Sequence, residues 1–355
     1  MLLTTTLIIL IVFAIIFLLI AGFDVIKSKN FQDWLLKRKS NKTNEVKNKK
    51  CNLFNRIFKK SNIKYNKKLA TSAYLMLIPA TVLAFIFIML PILFSLGYAF
   101  TDYYLLKPDA TKFIFLDNFK SIIEEVKFKG ELYHAIRNTS IFVVCVVPLQ
   151  IGLALGLALF CNRKVPGANI FKVCFFAPVV ISLTVTSYLW LQILSPSETG
   201  LLNSILGLFG QAPKDFLRDK DTAILWIVLL SAWQGCGTQM LIFLSALTNI
   251  RQDLYEAAAL DGANTFKKFI HVTVPGLKPT FLYVVITVFI GACRIMVQPM
   301  LMVGYQNHVV TISYYMYQQG YFYRWVGLSS AVALIMTIVI GTITILQRKF
   351  LGEKE

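Results

Sequence analysis

The sequence predicts an all-α integral membrane protein with about seven transmembrane helices, and three observations support this prediction. Of the 355 residues, 56% are hydrophobic and only 15% are charged, whereas roughly a quarter of the residues of a soluble domain are charged. The apolar residues are gathered into runs of about 20, which as helices would cross a hydrocarbon core of roughly 30 Å. None of the runs alternates between apolar and polar residues, so the spans are predicted to be helices and not the strands of a barrel.

The N-terminal part is predicted to be a membrane anchor followed by a basic linker. Residues 2–23 form an uncharged apolar run, and a cleaved signal peptide is disfavoured because neither a charged start nor a small-residue cleavage site is evident. Residues 1–23 are therefore assigned to a transmembrane helix and residues 24–69 to a cytoplasmic linker rich in Lys and Asn. Apolar clusters in this linker could form short helices on anionic membrane lipid, or its charge could simply fix the topology.

Six further apolar runs form the predicted transmembrane domain, residues 70–350. They lie at approximately residues 70–100, 140–160, 171–194, 222–247, 281–303 and 326–346. Because Lys and Arg accumulate in cytoplasmic segments, the basic linker places the N-terminus outside and the C-terminus inside. The same alternation puts the loop 248–279 on the cytoplasmic face. Most of the aromatic cluster at residues 314–325 would form an interfacial belt at the outer boundary.

The distribution of charge and of metal-ligating residue types excludes several classes of function. The net charge of +18 lies mainly in the linker instead of on a folded face, which argues against nucleic-acid binding. The six cysteines are scattered without a C-x-x-C pair and the three histidines lie far apart, so no metal site is predicted. A membrane enzyme would need a convergent acid–base set in the spans, and the sequence offers none, so no catalytic residue is predicted.

The loop 248–279 is the most polar insert in the second half of the chain. Asp253 and Glu256 stand in the D-x-x-E relation of a capping box, which predicts the start of a short helix over residues 254–260. Gly262 is expected to end this helix, because glycine readily takes a positive φ.

A second amphipathic stretch of the loop, residues 266–274, is predicted to stop at Pro275. Two short helices on either side of a glycine would form a small knob outside the bilayer, and the alanine face of the first helix suits docking into a partner's cleft. The alternative is a solvated loop between two spans.

The stretch EAAALDGANTFKKFIHVTVPGLKP, which begins at Glu256, resembles the cytoplasmic EAA signature of ABC importer membrane subunits. E-A-A is followed after three residues by Gly262 and after nine more by V-T-V-P, which ends at Pro275. The longer form LYEAAALDGA is similar to the sugar-permease branch of the maltose type. The segments RNTSIFVVCVVPLQIGLALGLAL, NRKVPGANIFKVCFFAPVVIS and GLLNSILGLFG extend the resemblance to roughly residues 74–348.

This resemblance implies a six-helix core of the type I ABC importer fold, to which the N-terminal helix is an addition. The chain has no G-x-x-x-x-G-K-[ST] loop, so two separate ATPase subunits would handle ATP and magnesium, each receiving an EAA loop. An extracellular solute-binding protein would deliver the solute, and a second, related permease would complete a heterodimer in the bacterial plasma membrane. The chain itself would hold no cofactor.

The resemblance also implies roles within the loop. The alanines would give close contact, Glu256 would form a cap or an ion pair with the ATPase, and Asp261 would cap the second helix or bond across the turn. Pro275 and Pro279 would end the docking unit before the next span. The docking residues implied are Tyr255, Glu256, Ala257, Ala258, Ala259, Asp261, Gly262, Ala263 and Pro275.

Polar side chains inside the spans indicate a solute path, because such groups are costly in a membrane. Arg294 is the only fully charged residue deep in a late span, and Gln298 would share its helix face at i, i+4. In the resembling family the corresponding stretch lines the translocation cavity, but Ala292 and Val297 replace a serine and an aspartate of its pattern. The predicted path residues are Ser182, Thr186, Trp190, Ser231, Gln234, Gly235, Thr238, Arg294 and Gln298.

Each of these path residues could instead have a purely structural role. The small ones could serve close helix packing, and Trp190 could be an interfacial anchor. For Arg294 the alternative is an interhelical hydrogen bond.

The function predicted is the import of a sugar through an ATP-driven, binding-protein-dependent permease. Glycerol phosphate or another acidic solute is the alternative within this class, with Arg294 as its counter-ion. An ATP-independent secondary transporter would leave the EAA loop unexplained and predicts inverted repeats and broken helices, which the sequence does not indicate. A signalling anchor would suit the basic linker but not the polar residues of the spans.

Overall fold

The computed structural model of the chain describes residues 67–162, 167–219, 222–304 and 307–351. The prediction of an all-α fold is confirmed over these residues, which hold only two isolated β-bridges besides helices and connections. The predicted anchor and nearly all of the linker lie outside them. The α-helices are α1 (Lys67–Ala84), α2 (Leu90–Tyr98), α3 (Asp117–Lys127), α4 (Glu131–Cys161), α5 (Ala168–Val180), α6 (Leu183–Ile193), α7 (Leu201–Leu208), α8 (Ala223–Asn249), α9 (Gln252–Leu260), α10 (Thr265–Lys268), α11 (Val274–Cys293), α12 (Val297–Met302), α13 (Ile312–Tyr317) and α14 (Val326–Leu351).

The chain divides after Phe94 into two compact units. Over its described residues the first unit is helical, with α1 joined to the start of α2 by a π turn at Phe85–Met89. Its apolar side chains are largely exposed, and Phe87 keeps 63% of its surface. Such a helix is suited to lipid, because exposing so much apolar surface to water is unfavourable.

Within the described residues, five helical stretches are long and apolar enough to cross a membrane, and a sixth is reached if one bent pair is counted as a single span. The five are Tyr74–Tyr98, Glu131–Cys161, Ala223–Asn249, Thr265–Cys293 and Val326–Lys349, and the bent pair is Asn169–Val180 with Leu183–Ile193. Each of the six runs of the predicted transmembrane domain thus overlaps one of these spans or the bent pair. The orientation of these spans stays a prediction.

The prediction of a single helix over residues 171–194 is wrong, because α5 and α6 meet at an angle of 100°. Ser182 caps the N-terminus of α6, because its hydroxyl accepts a hydrogen bond of 3.3 Å from the N–H of Val185. The carbonyl of Ile181 at the bend accepts a hydrogen bond of 3.2 Å from Gln234 Nε2. This backbone group is therefore satisfied although it lies outside a helix.

The predicted run at residues 281–303 is broken as well, because α11 ends at Cys293 and α12 follows after three residues. Two hydroxyls bond carbonyls of the break: Thr311 Oγ1 donates to the Ile295 oxygen at 2.7 Å, and Ser313 Oγ donates to the Cys293 oxygen at 3.5 Å. Broken helices are thus present, contrary to expectation, so their supposed absence does not separate an importer from a secondary transporter.

The central helix of the second unit is α8, which packs against α4, α5 and α11. Gly237 permits a close approach to α5, since an added Cβ would lie 2.5 Å from the carbonyl oxygen of Phe175. On the other side, the fully buried Met240 and Phe243 fill the space toward α4 and α11. This packing fixes the position of α8 beside the cavity described below.

The aromatic cluster at residues 314–325 is only partly exposed. Tyr314 and Tyr315 are 3% and 1% exposed and pack in a core cluster with α4 and α14, so these two rings are not part of an interfacial belt. Tyr315 is buried with a partner, because its hydroxyl donates a 2.7 Å hydrogen bond to Glu125 Oε2. Tyr321 and Trp325 remain about half exposed, as a belt requires.

Candidate functional site

A cavity of about 730 Å³ lies where the two helix breaks meet α4, α8 and α11. Its volume is in the range of small-molecule sites. Phe142, Val146 and Ile295 supply apolar parts of its wall. The polar part of the wall consists of Gln150, Ser231, Gln234, Gly235, Thr238, Gln239, Thr287, Arg294 and Gln298. The structure therefore brings together six of the nine predicted path residues.

Arg294 carries the one formal charge among the described lining residues. It follows the last residue of α11 and is exposed toward the cavity. Among the residues that the structure describes, none forms an ion pair or hydrogen bond with its guanidinium. An unpaired charge in a membrane-spanning region is costly, so this arrangement favours a functional role over the interhelical hydrogen bond considered above.

Gln298 lies in α12, so it does not share a helix face with Arg294. The predicted i, i+4 relation on one helix is wrong because α11 ends before Arg294 and α12 begins only at Val297, although both residues line the cavity. Gln298 is 9% exposed, and its amide makes no hydrogen bond to a described residue. The hydroxyl of Ser231 is also buried without a described partner. These groups keep hydrogen-bonding capacity for a solute.

Two glutamines that the sequence reasoning missed form part of the same wall. Gln150 Nε2 donates to Gln239 Oε1 at 3.0 Å, and Gln150 is 8% exposed. Gly235 lies directly opposite, and an added Cβ would collide with the Gln150 amide. The sequence does carry a signal for these two glutamines, because an amide in the middle of an apolar run is as costly in a membrane as the polar groups of the predicted path.

Three predicted path residues lie outside the cavity wall. Thr186 is fully buried, and its Oγ1 donates to the Ser182 oxygen at 3.0 Å and accepts from Gln234 Nε2 at 3.2 Å. Ser182 caps α6, and the ring of Trp190 lies 6.1 Å from that of Trp233. Ser182 thus serves the start of its own helix, whereas Thr186 and Trp190 pack α6 against α8.

In the loop, α9 has an inward and an outward side. Tyr255 and Ala258, three residues apart, are half-buried, whereas Leu254, Ala257 and Leu260, also three apart, are exposed. The predicted docking residues therefore divide between the two sides: Tyr255, Ala258 and Ala263 are half-buried, and Glu256, Ala257, Ala259, Asp261, Gly262 and Pro275 are exposed.

Large apolar side chains on this loop were missed by the sequence reasoning. Leu260 is 90% exposed, Phe266 is 67% exposed and Leu254 is 49% exposed. The sequence alone does not reveal their exposure, because it depends on the way the loop folds back. Apolar side chains grouped on a polar loop indicate a protein contact surface.

The predicted caps of the loop helices are wrong. Arg251, not Asp253, precedes α9, and its Nη2 lies 2.8 Å from Asp253 Oδ2 in the first turn. The carboxylate there favours the helix electrostatically. The second helix, α10, is capped by Asn264 and not by Asp261, because Asn264 Oδ1 accepts a 2.9 Å hydrogen bond from the N–H of Lys267.

Gly262 forms the turn between α9 and α10, with a φ of +73°. Its N–H donates to the Ala259 oxygen at 3.0 Å, and the N–H of Ala263 donates to the Ala258 oxygen at 2.9 Å. An added Cβ would enter open space. The backbone conformation alone therefore requires glycine here.

Neither Pro275 nor Pro279 ends the loop, contrary to the prediction. The helical stretch Thr265–Cys293 is continuous through both. A π turn at Phe269–Thr273 precedes Pro275, and there the N–H of Val274 bonds to the Phe269 oxygen. The regular hydrogen-bond ladder is thus already interrupted where the proline has no N–H to give.

The chain is similar in sequence to a group of membrane transport proteins. A family model described as "Binding-protein-dependent transport system inner membrane component" matches residues 151–354. The arabinooligosaccharides transport system permease protein AraP of Bacillus subtilis is 32% identical over 295 residues, which cover 81% of this chain and 90% of the relative. The lactose transport system permease protein LacF of Rhizobium radiobacter is 30% identical, with 78% and 92% covered.

Solved structures share the fold. The crystal structure of a bacterial ABC transporter involved in the import of the acidic polysaccharide alginate matches with a TM-score of 0.70 at 21% identity, covering 80% of this chain and 96% of the other. A second structure of an alginate transporter, bound to a periplasmic protein that carries an alginate pentasaccharide, matches with the same TM-score. At this identity the similarity shows the fold alone.

Proposed function

Since this chain belongs to the family of inner membrane components of binding-protein-dependent transport systems, we propose that it is the permease subunit of an ATP-driven sugar importer. The feature that carries the proposal is one continuous helical stretch, Thr265–Cys293, which joins the polar loop to the polar cavity. An extracellular solute-binding protein delivers the sugar, and the permease resides as a multi-pass protein in the bacterial plasma membrane, with its N-terminus outside and its C-terminus in the cytoplasm.

The chemistry of the cavity suits a sugar. Sugar hydroxyls need donors and acceptors in alternation, and Arg294, Gln298 and Ser231 offer both without a described partner. Apolar wall residues such as Phe142 can contact the faces of the sugar rings. The relatives described above, which are named for the transport of arabinooligosaccharides and of lactose, support the same substrate class.

Energy for transport enters through the loop 248–279. The exposed stripe of Leu254, Ala257 and Leu260 on α9 fits a cleft of an ATPase subunit, since apolar side chains on a polar loop gain free energy on burial. Two ATPase subunits bind in this way, one to this chain and one to a second, homologous permease. ATP and magnesium are held by those subunits.

The test is a matched pair of glycine variants in the complex with the ATPase subunits and the partner permease. Gly262→Val forces a β-branched residue to a φ of +73°, whereas Gly210→Val does the same at +71° outside the loop, also in open space. We expect Gly262→Val to lose the ATPase on purification and to abolish uptake of a labelled arabino-oligosaccharide, with Gly210→Val close to wild type. Retained ATPase and undiminished uptake in Gly262→Val would refute the docking role.

A second candidate substrate is an acidic solute such as glycerol phosphate or an acidic oligosaccharide. The unpaired guanidinium of Arg294 favours it, because an anion would supply the missing counter-charge. Competition separates the two: an equimolar unlabelled uronate oligosaccharide lowers uptake of the labelled neutral one by more than half only if the acidic solute binds better. Arg294→Gln should reverse that preference.

A further inference from the structure

One hydrogen bond ties the inward side of α9 to the helix that leads to the cavity. The hydroxyl of Tyr255 lies 2.9 Å from Thr273 Oγ1. Thr273 is 6% exposed and ends the π turn that precedes α11, and Tyr255 is half-buried. The bond is thus sheltered from competing water and connects two elements 18 residues apart in sequence.

Tyr255 lies on the half-buried side of α9, which faces the rest of the described chain. The exposed stripe of Leu254, Ala257 and Leu260 occupies the other side. A partner docked on that stripe would contact the exposed side of α9, while the hydrogen bond of Tyr255 fixes its half-buried side to Thr273. The tyrosine was predicted as a docking residue, but its hydroxyl already has a partner within the chain.

A second contact fixes the approach of the loop to the same helix. Gly276, in the first turn of α11, lies against Ile250, just before α9, and an added Cβ would come 2.9 Å from Ile250 Cδ1. Ile250 packs against a core cluster that contains the buried Leu277. The loop therefore meets the base of α11 at two points, one polar and one apolar.

The helical stretch above these two points reaches the cavity. Thr265–Cys293 has 29 residues, which corresponds to roughly 43 Å at 1.5 Å per residue. Arg294 follows its last residue. If a displacement of α9 reaches the π turn, it would therefore move Arg294, which carries the charge of the cavity wall.

We propose that Tyr255 is a positioning residue whose hydrogen bond to Thr273 transmits the movement of the docked loop to α11 and the cavity. This rests on the proposed function, because the movement originates in the ATPase. The π turn suits this role, since its irregular hydrogen bonding lets the base of α11 change its helical phase when α9 moves. The alternative for Tyr255 is direct contact with the ATPase.

The test measures backbone hydrogen exchange in the complex of both permeases with the ATPase subunits, with ATP and vanadate or without nucleotide. It needs no transported solute. In the wild type we expect nucleotide to change the exchange of residues 294–302, beside the cavity. In Tyr255→Phe and in Thr273→Val this change should become several-fold smaller, while the ATPase stays bound and hydrolyses ATP. Thr273→Ser, which keeps the hydroxyl, should retain it.

Tyr283→Phe is the matched control, because the hydroxyl of this exposed tyrosine of α11 makes no hydrogen bond to a described residue. The double variant Tyr255→Phe/Thr273→Val should be no worse than either single variant. An undiminished nucleotide effect in Tyr255→Phe overturns the proposal, and so does loss of the ATPase from that variant, which would make Tyr255 a docking residue. If the wild type does not retain the ATPase at all, the proposed function itself fails.

Discussion

Gln150 and Gly235 face each other in the cavity wall so closely that a side chain on Gly235 would displace Gln150, because an added Cβ would collide with Gln150 Nε2. The same nitrogen donates to Gln239 Oε1 at 3.0 Å. The position of two amides in the wall thus depends on a missing side chain. Gly235 is therefore a determinant of cavity shape.

Alanine substitutions should rank the glycines of the spans by what they face. Gly237→Ala meets the Phe175 carbonyl, which moves only with α5, so we expect a loss of about 1–3 kcal/mol in the free energy of unfolding. Gly235→Ala should cost about 1 kcal/mol, because the Gln150 side chain can swing aside at the expense of its hydrogen bond. Gly156→Ala has nothing within 4 Å and serves as the control, neutral or slightly stabilising. Thermal unfolding in nanodiscs measures all three, and an equal loss for all of them would contradict the ranking.

Two glutamines of the cavity should behave in opposite ways when replaced by leucine. Gln234→Leu removes the donor to the Ile181 carbonyl and to Thr186 Oγ1, so it should lower the free energy of unfolding by about 1–3 kcal/mol. Gln298→Leu breaks no bond to a described residue and should leave stability nearly unchanged while it lowers uptake. Melting temperature and uptake of the labelled oligosaccharide are the paired measurements. A stable Gln234→Leu would show that the carbonyl at the helix break needs no donor.

The exposed leucine at the end of α9 should matter for association and not for folding. Leu260 is 90% exposed, and burying a leucine side chain contributes about 1.5–3 kcal/mol. Leu260→Ser should therefore weaken ATPase binding about tenfold or more, at an unchanged melting temperature. Leu208→Ser, at a position that is 85% exposed outside the loop, is the control and should change neither ATPase binding nor the melting temperature. Equal ATPase affinity for the two variants would remove Leu260 from the docking surface.

The buried tyrosine of α13 should give stability an alkaline limit. Burial raises the pKa of Tyr315, and the hydrogen bond to Glu125 raises it further. In the unfolded chain this phenol loses its proton near pH 10, while the folded chain still holds it. Its contribution is thus complete below pH 10 and is lost as the pH rises above that value. Unfolding measured from pH 8 to 11 should show a steeper loss in the wild type than in Tyr315→Phe; parallel curves would contradict this.

Sequence reasoning located the apolar runs of the spans and the turn at Gly262 because both follow from strong local rules. The length of an apolar run predicts a transmembrane span whatever surrounds it, and a glycine after a short helix predicts a positive φ. The breaks at Ile181 and Arg294 escaped it, since apolar composition is the same in a straight helix and in a bent pair. The donors that make such bends tolerable, Gln234 and Thr311, lie far away in the sequence.

The polar wall was likewise predicted only in part. Arg294, Gln298 and Ser231 were found because each is conspicuous in an apolar run, whereas Thr186 is equally conspicuous and is fully buried against Gln234. Whether a polar side chain faces a cavity or a neighbouring helix is decided by packing. The division of α9 into an inward side with Tyr255 and an outward side was hidden for the same reason.

At the two breaks beside the cavity, the carbonyls of Ile181, Cys293 and Ile295 are already bonded by side chains of this chain. Under the proposed function, a solute in the cavity would depend on side chains that keep hydrogen-bonding capacity, such as Arg294 and Gln298. Neither of these two side chains is used to satisfy the helix breaks. Point mutations at such positions would retune the permease to a new nutrient during evolution while the scaffold stays intact.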